Sequence, residues 1–254
     1  GDASDPVYGG YTCIKGRQLP EQHTTPKGVR ETLKKQANGD FAPISVHTAM
    51  DEIAERVRKL VEEHGPESIA TYNGTVAFQN SGQLVYSREW HNALKSPSYY
   101  TSVTIDQPAK VYVGSRMGYW TAGGHFLQDA DVAMIIGNNP LVSHYGSPGG
   151  VSPISPADQL RKAKKRGLKM IVIDPRESEL ARRSDLHLQI KPGEDAALLA
   201  CMIRIILAED LHDAAFCEEF VSGLDELRQS VARYDTASVS ARTDIPADAI
   251  VEAA

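Results

Sequence analysis

The pattern of apolar and polar positions is clearest in two places. Between Ser45 and His64, Val46, Met50, Ile53, Val57, Leu60 and Val61 recur at three- and four-residue steps, and Asp51, Glu52, Glu55, Arg56, Arg58 and Lys59 fill the positions between them. This spacing predicts an amphipathic helix capped by Ser45 and stopped by Gly65-Pro66, with an apolar face that needs a sheet to pack on. Further along, Val132 to Ile136 and Leu168 to Ile173 are short apolar runs rich in β-branched residues, the pattern of strands buried on both faces of a parallel sheet. Ala157 to Arg166 between them is helix-like and is closed by Gly167. Together these three predict a βαβ unit. A third short run, within Asp185 to Ile190, adds another strand.

The remaining segments are read the same way. Ser68 to Tyr72 predicts a strand ended by Asn73-Gly74, and Gly82 to Leu94 a second helix. Pro108 fits the first turn of a helix that follows a polar and aromatic stretch from Tyr99. Asp195 to Glu209 predicts a strongly apolar helix with Cys201 in its core. Three more helical segments follow, with Phe216, Phe220 and Leu224 expected to pack on the sheet. Residues 1–40, rich in Gly, Pro, Thr, Lys and Gln, read as an irregular arm. The fold class is α/β, mostly parallel, organised as the arm, a first α/β segment over 41–100 and a second α/β domain over 101–254.

Length and composition narrow the options. The 254 residues, 41% of them hydrophobic, suffice for one large or two moderate domains. A net charge of -6 argues against a nucleic-acid partner. No apolar run approaches the roughly 18 residues of a membrane span. Three widely spaced cysteines argue against a disulfide framework and for a reducing compartment, with the cytoplasm as the default expectation. The chain stops within a helical signal, so a fragment of a longer protein is expected.

Candidate chemistry gathers at the ends of the predicted strands. In βαβ units ligands bind beyond the carboxyl ends of the strands, where the strand order reverses. Gly137, Asn138, Asn139 and Pro140 follow the first strand, Asp174, Pro175 and Arg176 the second, and Lys191-Pro-Gly-Glu-Asp the third. A carboxylate such as Asp174 suits a ribose hydroxyl or a purine edge, and Arg176 suits a phosphate or a ring face. These residues suggest a bound nucleotide, the alternative being that Asn and Pro only turn the chain and Asp174 only caps. No Gly-x-Gly-x-x-Gly follows the strand, which disfavours a nicotinamide dehydrogenase. Cys13 alone cannot hold an iron–sulfur cluster, which needs about four thiolates. Asp106, ahead of Pro108, is open to two readings, a local carboxylate at a helix start or a metal ligand.

Four motifs in order sharpen the picture. Tyr-Thr-Cys-Ile-Lys-Gly-Arg (11–17), Ile-Ile-Gly-Asn-Asn-Pro (135–140), Val-Ile-Asp-Pro-Arg (172–176) and Lys-Pro-Gly-Glu-Asp (191–195) resemble, in sequence and spacing, the molybdopterin oxidoreductases of the dimethyl sulfoxide reductase and formate dehydrogenase type. The resemblance implies two three-layer, Rossmann-like α/β segments and a molybdenum or tungsten cofactor on two molybdopterin guanine dinucleotides. By position, Cys13 resembles the last of four cluster cysteines and Lys15 the lysine between cluster and pterin. Gly137, Asn138 and Asn139 resemble the turn approached by a guanine dinucleotide, with Ser143 and His144 close behind. Asp174 and Arg176 resemble contacts to its guanosine part, and Gly193 with Asp195 a second clamp. Asp106 falls near the family's metal ligand. Gln107 stands where formate dehydrogenases commonly have histidine, a departure that argues against assuming formate as the substrate.

The resemblance implies a fragment of an oxidoreductase acting on a small substrate by oxygen-atom or hydride and proton transfer. Its partners would be the remainder of its own catalytic subunit and an electron-transfer subunit. Alone, the fragment is expected to be inactive and to carry neither metal nor cluster. A non-redox nucleotide-binding or interaction module of the same fold is the competing reading.

Overall fold

The computed structural model describes residues 1–5, 9–74, 77, 80–102, 108–117, 127, 130–146, 150–151 and 155–254. The chain divides into two compact units, one made of Gly1–Arg17 and Ala122–Ala254, the other of Gln18–Thr121. Helices and small parallel sheets alternate in both, an α/β fold. No described helix is long and apolar enough to cross a membrane.

The second unit begins with helix α2 (Leu19–Thr24), after the single turn α1 (Ile14–Arg17) that belongs to the first. Strands β1 (Leu33–Lys35) and β2 (Phe41–Pro43) then form an antiparallel hairpin, β1 lying in the region read as an irregular arm and β2 just after it. Its strands are too short, at three residues each, to leave a periodic signal. Helix α3 (Val46–His64) starts at the expected cap, where Ser45 Oγ accepts from Thr48 N at 3.0 Å, and ends at Gly65. Strand β3 (Thr71–Asn73), helix α4 (Ser81–Leu94), strand β4 (Tyr99–Thr101) and helix α5 (Pro108–Met117) follow, with β3 and β4 parallel. His91 of α4 is buried on this pair and meets Thr71 Oγ1 at 2.9 Å.

The apolar stripe of α3 is not buried as the periodicity predicts. Val46, Met50 and Ile53 stay 60%, 58% and 54% exposed. The β3–β4 pair has only three residues per strand and is packed by α4, so among the described residues of this unit no sheet is large enough to cover a 19-residue helix.

The first unit carries the larger sheet, with strands β5 (Val132–Ile136), β8 (Lys169–Ile173) and β9 (Leu186–Leu188) all parallel and in the order β5-β8-β9. Between β5 and β8 lie helix α6 (Pro140–Ser143), the short strands β6 (Tyr145–Gly146) and β7 (Gly150–Val151) and helix α7 (Pro156–Arg166), closed by Gly167. Helices α8 (Asp195–Ala208), α9 (Ala214–Phe220), α10 (Leu224–Val231), α11 (Thr236–Thr243) and α12 (Ala247–Ala253) complete the chain.

Side-chain alternation along β8 separates two cores. Met170 and Val172 pack with Ala133, Ile135 and the inner face of α7 (Leu160, Ala163). Ile173, with Leu188 and Ile190, packs on Leu198, Cys201, Met202 and Ile205 of α8, and Val239 and Ile250 of α11 and α12 close this side. The result is helix, sheet and helix in three layers. Burial pushes the Cys201 thiol up, as suits a core cysteine.

Three expectations are corrected here. Strand β5 is not buried on both faces, because Val132, Met134 and Ile136, in register with Lys169, Ile171 and Ile173, face the α8 side and remain exposed. Helix α8 and its companions cover β8 and β9 and do not reach β5. Phe216 and Phe220 do not pack on the sheet. They pack on each other, ring centroids 5.0 Å apart, and stay mostly exposed. Finally, the strand order runs with the sequence, with no reversal among the described strands.

Asp185, just before β9, joins the layers. Its carboxylate pairs with Lys164 of α7 and accepts the Met170 N–H of β8 at 2.7 Å, and the Lys164 bond holds its pKa below the usual carboxylate value. A carboxyl whose folded pKa is depressed adds stability above its unfolded value of about 3.9, and that stability is lost as pH falls through the folded value. Asp185→Asn is therefore expected to flatten the acid limb of a stability profile below about pH 4, read as the urea midpoint at successive pH values. Leu198→Ala is expected to cost about 2 to 5 kcal/mol in the same assay, whereas Met134→Ala on the uncovered face should cost less than about 1 kcal/mol.

Candidate functional site

Parallel pairing places the carboxyl ends of β5, β8 and β9 side by side. The ladder continues one step past β5, where Gly137 N donates to Ile173 O at 2.9 Å. Gly137 has φ +58°, a conformation that disfavours a side chain, and beyond its chain neighbours no atom of a described residue lies within 4 Å of the place a Cβ would take. An open notch results at the mouth of the first turn. Asn138 is exposed beside it. The side chain of Asn139 turns inward, its Nδ2 donating to Glu179 Oε2 at 2.6 Å, while its Oδ1 is buried with no partner among the described residues. Glu179 is held below the usual carboxylate pKa by its own backbone N–H, then by the Asn139 bond, with Arg182 and Arg176 adding charge.

The second turn is shaped by Asp174, only 9% exposed. Its Oδ1 accepts the Arg176 N–H at 2.8 Å, which curls the chain and leaves Arg176 exposed at the rim. The His187 ring meets the Asp174 carbonyl at 3.0 Å, and Gln189 Nε2 donates to Pro175 O at 3.1 Å, so β9 braces the turn from the far side. In the third turn Gly193 has φ +93° and open space where a Cβ would stand, and Asp195 begins α8, its charge favourable at a helix start. Arg242 of α11 lies 2.7 Å from Glu194 Oε2 and fixes this turn to the helical layer.

The N-terminal arm reaches the first turn directly. Lys15 Nζ donates to Ser143 O at 3.1 Å, and the Tyr11 hydroxyl meets His144 Nδ1 at 2.7 Å. Cys13 stands between the two, partly exposed, its thiol pKa lowered mainly by the backbone N–H of Gly16 and further by Lys15. Among the described residues no group of three or more His, Cys, Asp or Glu side chains is arranged to hold a metal. Asp106 and Gln107 lie outside the described residues.

Apart from Cys13, Asp106 and Gln107, the candidates follow the carboxyl ends of three adjacent parallel strands or contact the first of these turns. Lys15, Gly137, Asn138, Asn139, Ser143 and His144 share the first turn, Asp174 and Arg176 the second, and Gly193 and Asp195 the third. Sequence reasoning missed Tyr11, Glu179 and Gln189. Glu179 and Gln189 act on turns from neighbouring segments. Tyr11 and His144 are 133 positions apart with no local pattern to link them.

Comparison with known proteins decides the kinship of this arrangement. The family described as molybdopterin oxidoreductase matches residues 29–243, most of the chain. The chain belongs to this family. The molybdopterin-containing subunit PhsA of thiosulfate reductase from Salmonella typhimurium is 29% identical over 99% of the chain and 32% of its own length. Formate dehydrogenase H of Escherichia coli is 29% identical over 97% of the chain and 33% of its own length. Among solved structures, acetylene hydratase from Pelobacter acetylenicus superposes with a TM-score of 0.75 at 28% identity, covering 95% of the chain and 32% of that protein. The chain spans about a third of the length of these relatives. Family membership implies a molybdopterin-type cofactor with molybdenum or tungsten.

The turn chemistry is testable without any ligand. Asp174→Ala removes the acceptor that curls the second turn and is expected to destabilise the chain by about 1 kcal/mol. Asp174→Asn keeps an oxygen for the Arg176 N–H and should stay within about 0.5 kcal/mol of the parent in chemical denaturation.

Proposed function

We propose that the chain forms part of the cofactor-binding core of a molybdenum- or tungsten-dependent oxidoreductase, and that the turns after β5, β8 and β9 receive the guanosine end of one molybdopterin guanine dinucleotide. The observation that carries the proposal is that three polar turns follow the carboxyl ends of three adjacent parallel strands in a chain of this family, the first of them holding a buried Asn139 Oδ1 with no donor among the described residues. Buried acceptors are almost always satisfied, and a purine N–H group is a suitable donor. The open notch at Gly137 lets a ligand approach the backbone closely.

Each side chain has a part suited to its chemistry. Asp174 offers a carboxylate to the ribose hydroxyls or the purine edge, its Oδ2 having no partner among the described residues. Arg176, exposed at the rim, pairs with a phosphate or stacks on the base. Gly193 and Asp195 close the far side. Lys15, fixed on Ser143, places a positive charge where an anionic cofactor is steadied. When bound, the metal of such a cofactor supplies the oxygen-atom or hydride and proton transfer on a small substrate. Asp106 is proposed as its protein ligand, with Gln107 beside the reacting centre. Cys13 supplies one thiolate of the roughly four an iron–sulfur cluster needs, so any such cluster is completed by other parts of the whole protein. The rest of the catalytic subunit and an electron-transfer subunit are the proposed partners.

Membership in the family carries the cofactor class rather than the reaction, since the relatives are named for a thiosulfate reductase, a formate dehydrogenase and an acetylene hydratase. The nucleotide site is therefore tested first, by calorimetric titration with GDP. GDP is expected to bind and ADP to bind far more weakly, and Asp174→Asn is expected to lower GDP affinity on the order of tenfold. Equal binding of GDP and ADP, or an unaffected Asp174→Asn, would sink the guanosine assignment.

A further inference from the structure

Tyr11 is tied to the first strand-end turn by a contact with no precedent in the local sequence. Its hydroxyl lies 2.7 Å from His144 Nδ1, the two rings are tilted by 43° with centroids 6.2 Å apart, and both groups are partly buried. His144 has φ +56°, an uncommon conformation for a residue other than glycine, and its N–H donates to Pro140 O at 2.9 Å. The imidazole is thereby held at a defined angle beyond the end of β5. Lys15, four residues after Tyr11, adds a second tether through Ser143 O and brings an ammonium group to the same turn.

The direction of the hydrogen bond follows from acid–base strength. A phenol is a stronger acid than a neutral imidazole N–H, and an imidazole nitrogen is a stronger base than a phenol oxygen, so Tyr11 donates and Nδ1 accepts. In a neutral ring the remaining proton then sits on Nε2. No described residue bonds that nitrogen. A lone N–H donor next to a lysine ammonium suits an anionic oxygen.

We propose that Tyr11 is a positioning residue that locks His144 in its Nε2–H tautomer, and that Nε2–H donates to a phosphate oxygen of the bound nucleotide. The ligand half of this inference rests on the reading of the strand-end turns as a nucleotide site. The tautomer half does not. The arm is thus part of the site: Tyr11 sets the donor, Lys15 the charge, and both act on the turn that carries Asn139.

Imidazole ¹⁵N NMR on the chain tests the two halves separately. In the parent chain His144 is expected to be protonated at Nε2 and bare at Nδ1, and Tyr11→Phe is expected to give a mixture of tautomers while the amide signals of β5 and β8 stay in place. An Nδ1–H tautomer in the parent chain, or one unchanged by Tyr11→Phe, overturns the lock. GDP and inorganic pyrophosphate are both expected to shift Nε2, and guanosine to leave it unmoved. A shift with guanosine overturns the phosphate assignment. Failure of both GDP and pyrophosphate to bind overturns the nucleotide reading and the ligand of His144 with it, while the tautomer result still decides the lock. Tyr11→Phe is expected to weaken GDP binding by about 3- to 10-fold. Among replacements of His144, Gln carries an amide N–H near the place of Nε2 and Asn near that of Nδ1. The left-handed backbone favours Asn, so tighter GDP binding by His144→Gln than by His144→Asn would mark the donor at Nε2, and the reverse order would overturn it.

Discussion

The pairing of β8 with its two parallel neighbours is the constraint from which the rest of the first unit follows. Strand β8 is the only described strand of this sheet flanked on both sides, and its residues are divided between two cores, Met170 and Val172 towards α7 and Ile173 towards α8. A shift of one residue in its register would exchange these faces and mispack both cores at once. The same register brings the turn after β5 beside the turn after β8, because Gly137 bonds to Ile173 one step beyond the last paired residues. Position of the site and burial of the core are thus two results of one set of hydrogen bonds.

With the strand ends fixed, polar side chains shape the turns in place of a glycine-rich phosphate loop. Asp174 curls its own turn, Gln189 and His187 brace it from β9, and Glu179 holds Asn139 across from the first turn. Apart from the local Asp174–Arg176 bond, these contacts join different segments, so the shape of the turns depends on the sheet having formed. Strand-end turns are thus shaped here without Gly-x-Gly-x-x-Gly. Within these turns, Gly137 and Gly193 have open space where a Cβ would stand.

Apolar surface is covered unevenly along the chain. Around β8 the layers are closed, with Met170, Val172, Leu188 and Leu198 excluded from water. On α3, on the outer face of β5 and on the Phe216–Phe220 pair, large apolar side chains remain open.

Much of this was determined by the sequence alone. The period of 45–64 gave α3 and its Ser45 cap, and β5, α7, β8 and α8 fall within a residue or two of the limits read from apolar runs and Gly167, because local period and capping chemistry do not depend on distant partners. The order of four motifs carried the family resemblance. The sequence did not determine which apolar faces are covered: β5 has the composition of a strand buried on both faces, yet only Ala133 and Ile135 are buried, since coverage depends on where α8 and α11 pack. The hairpin of β1 and β2 was hidden because three-residue strands carry no period. Nor could it join Tyr11 to His144 or Asn139 to Glu179, pairs 133 and 40 residues apart. Residue chemistry is written locally, whereas the partner of a polar group is chosen by the sheet register and helix packing that bring distant segments together.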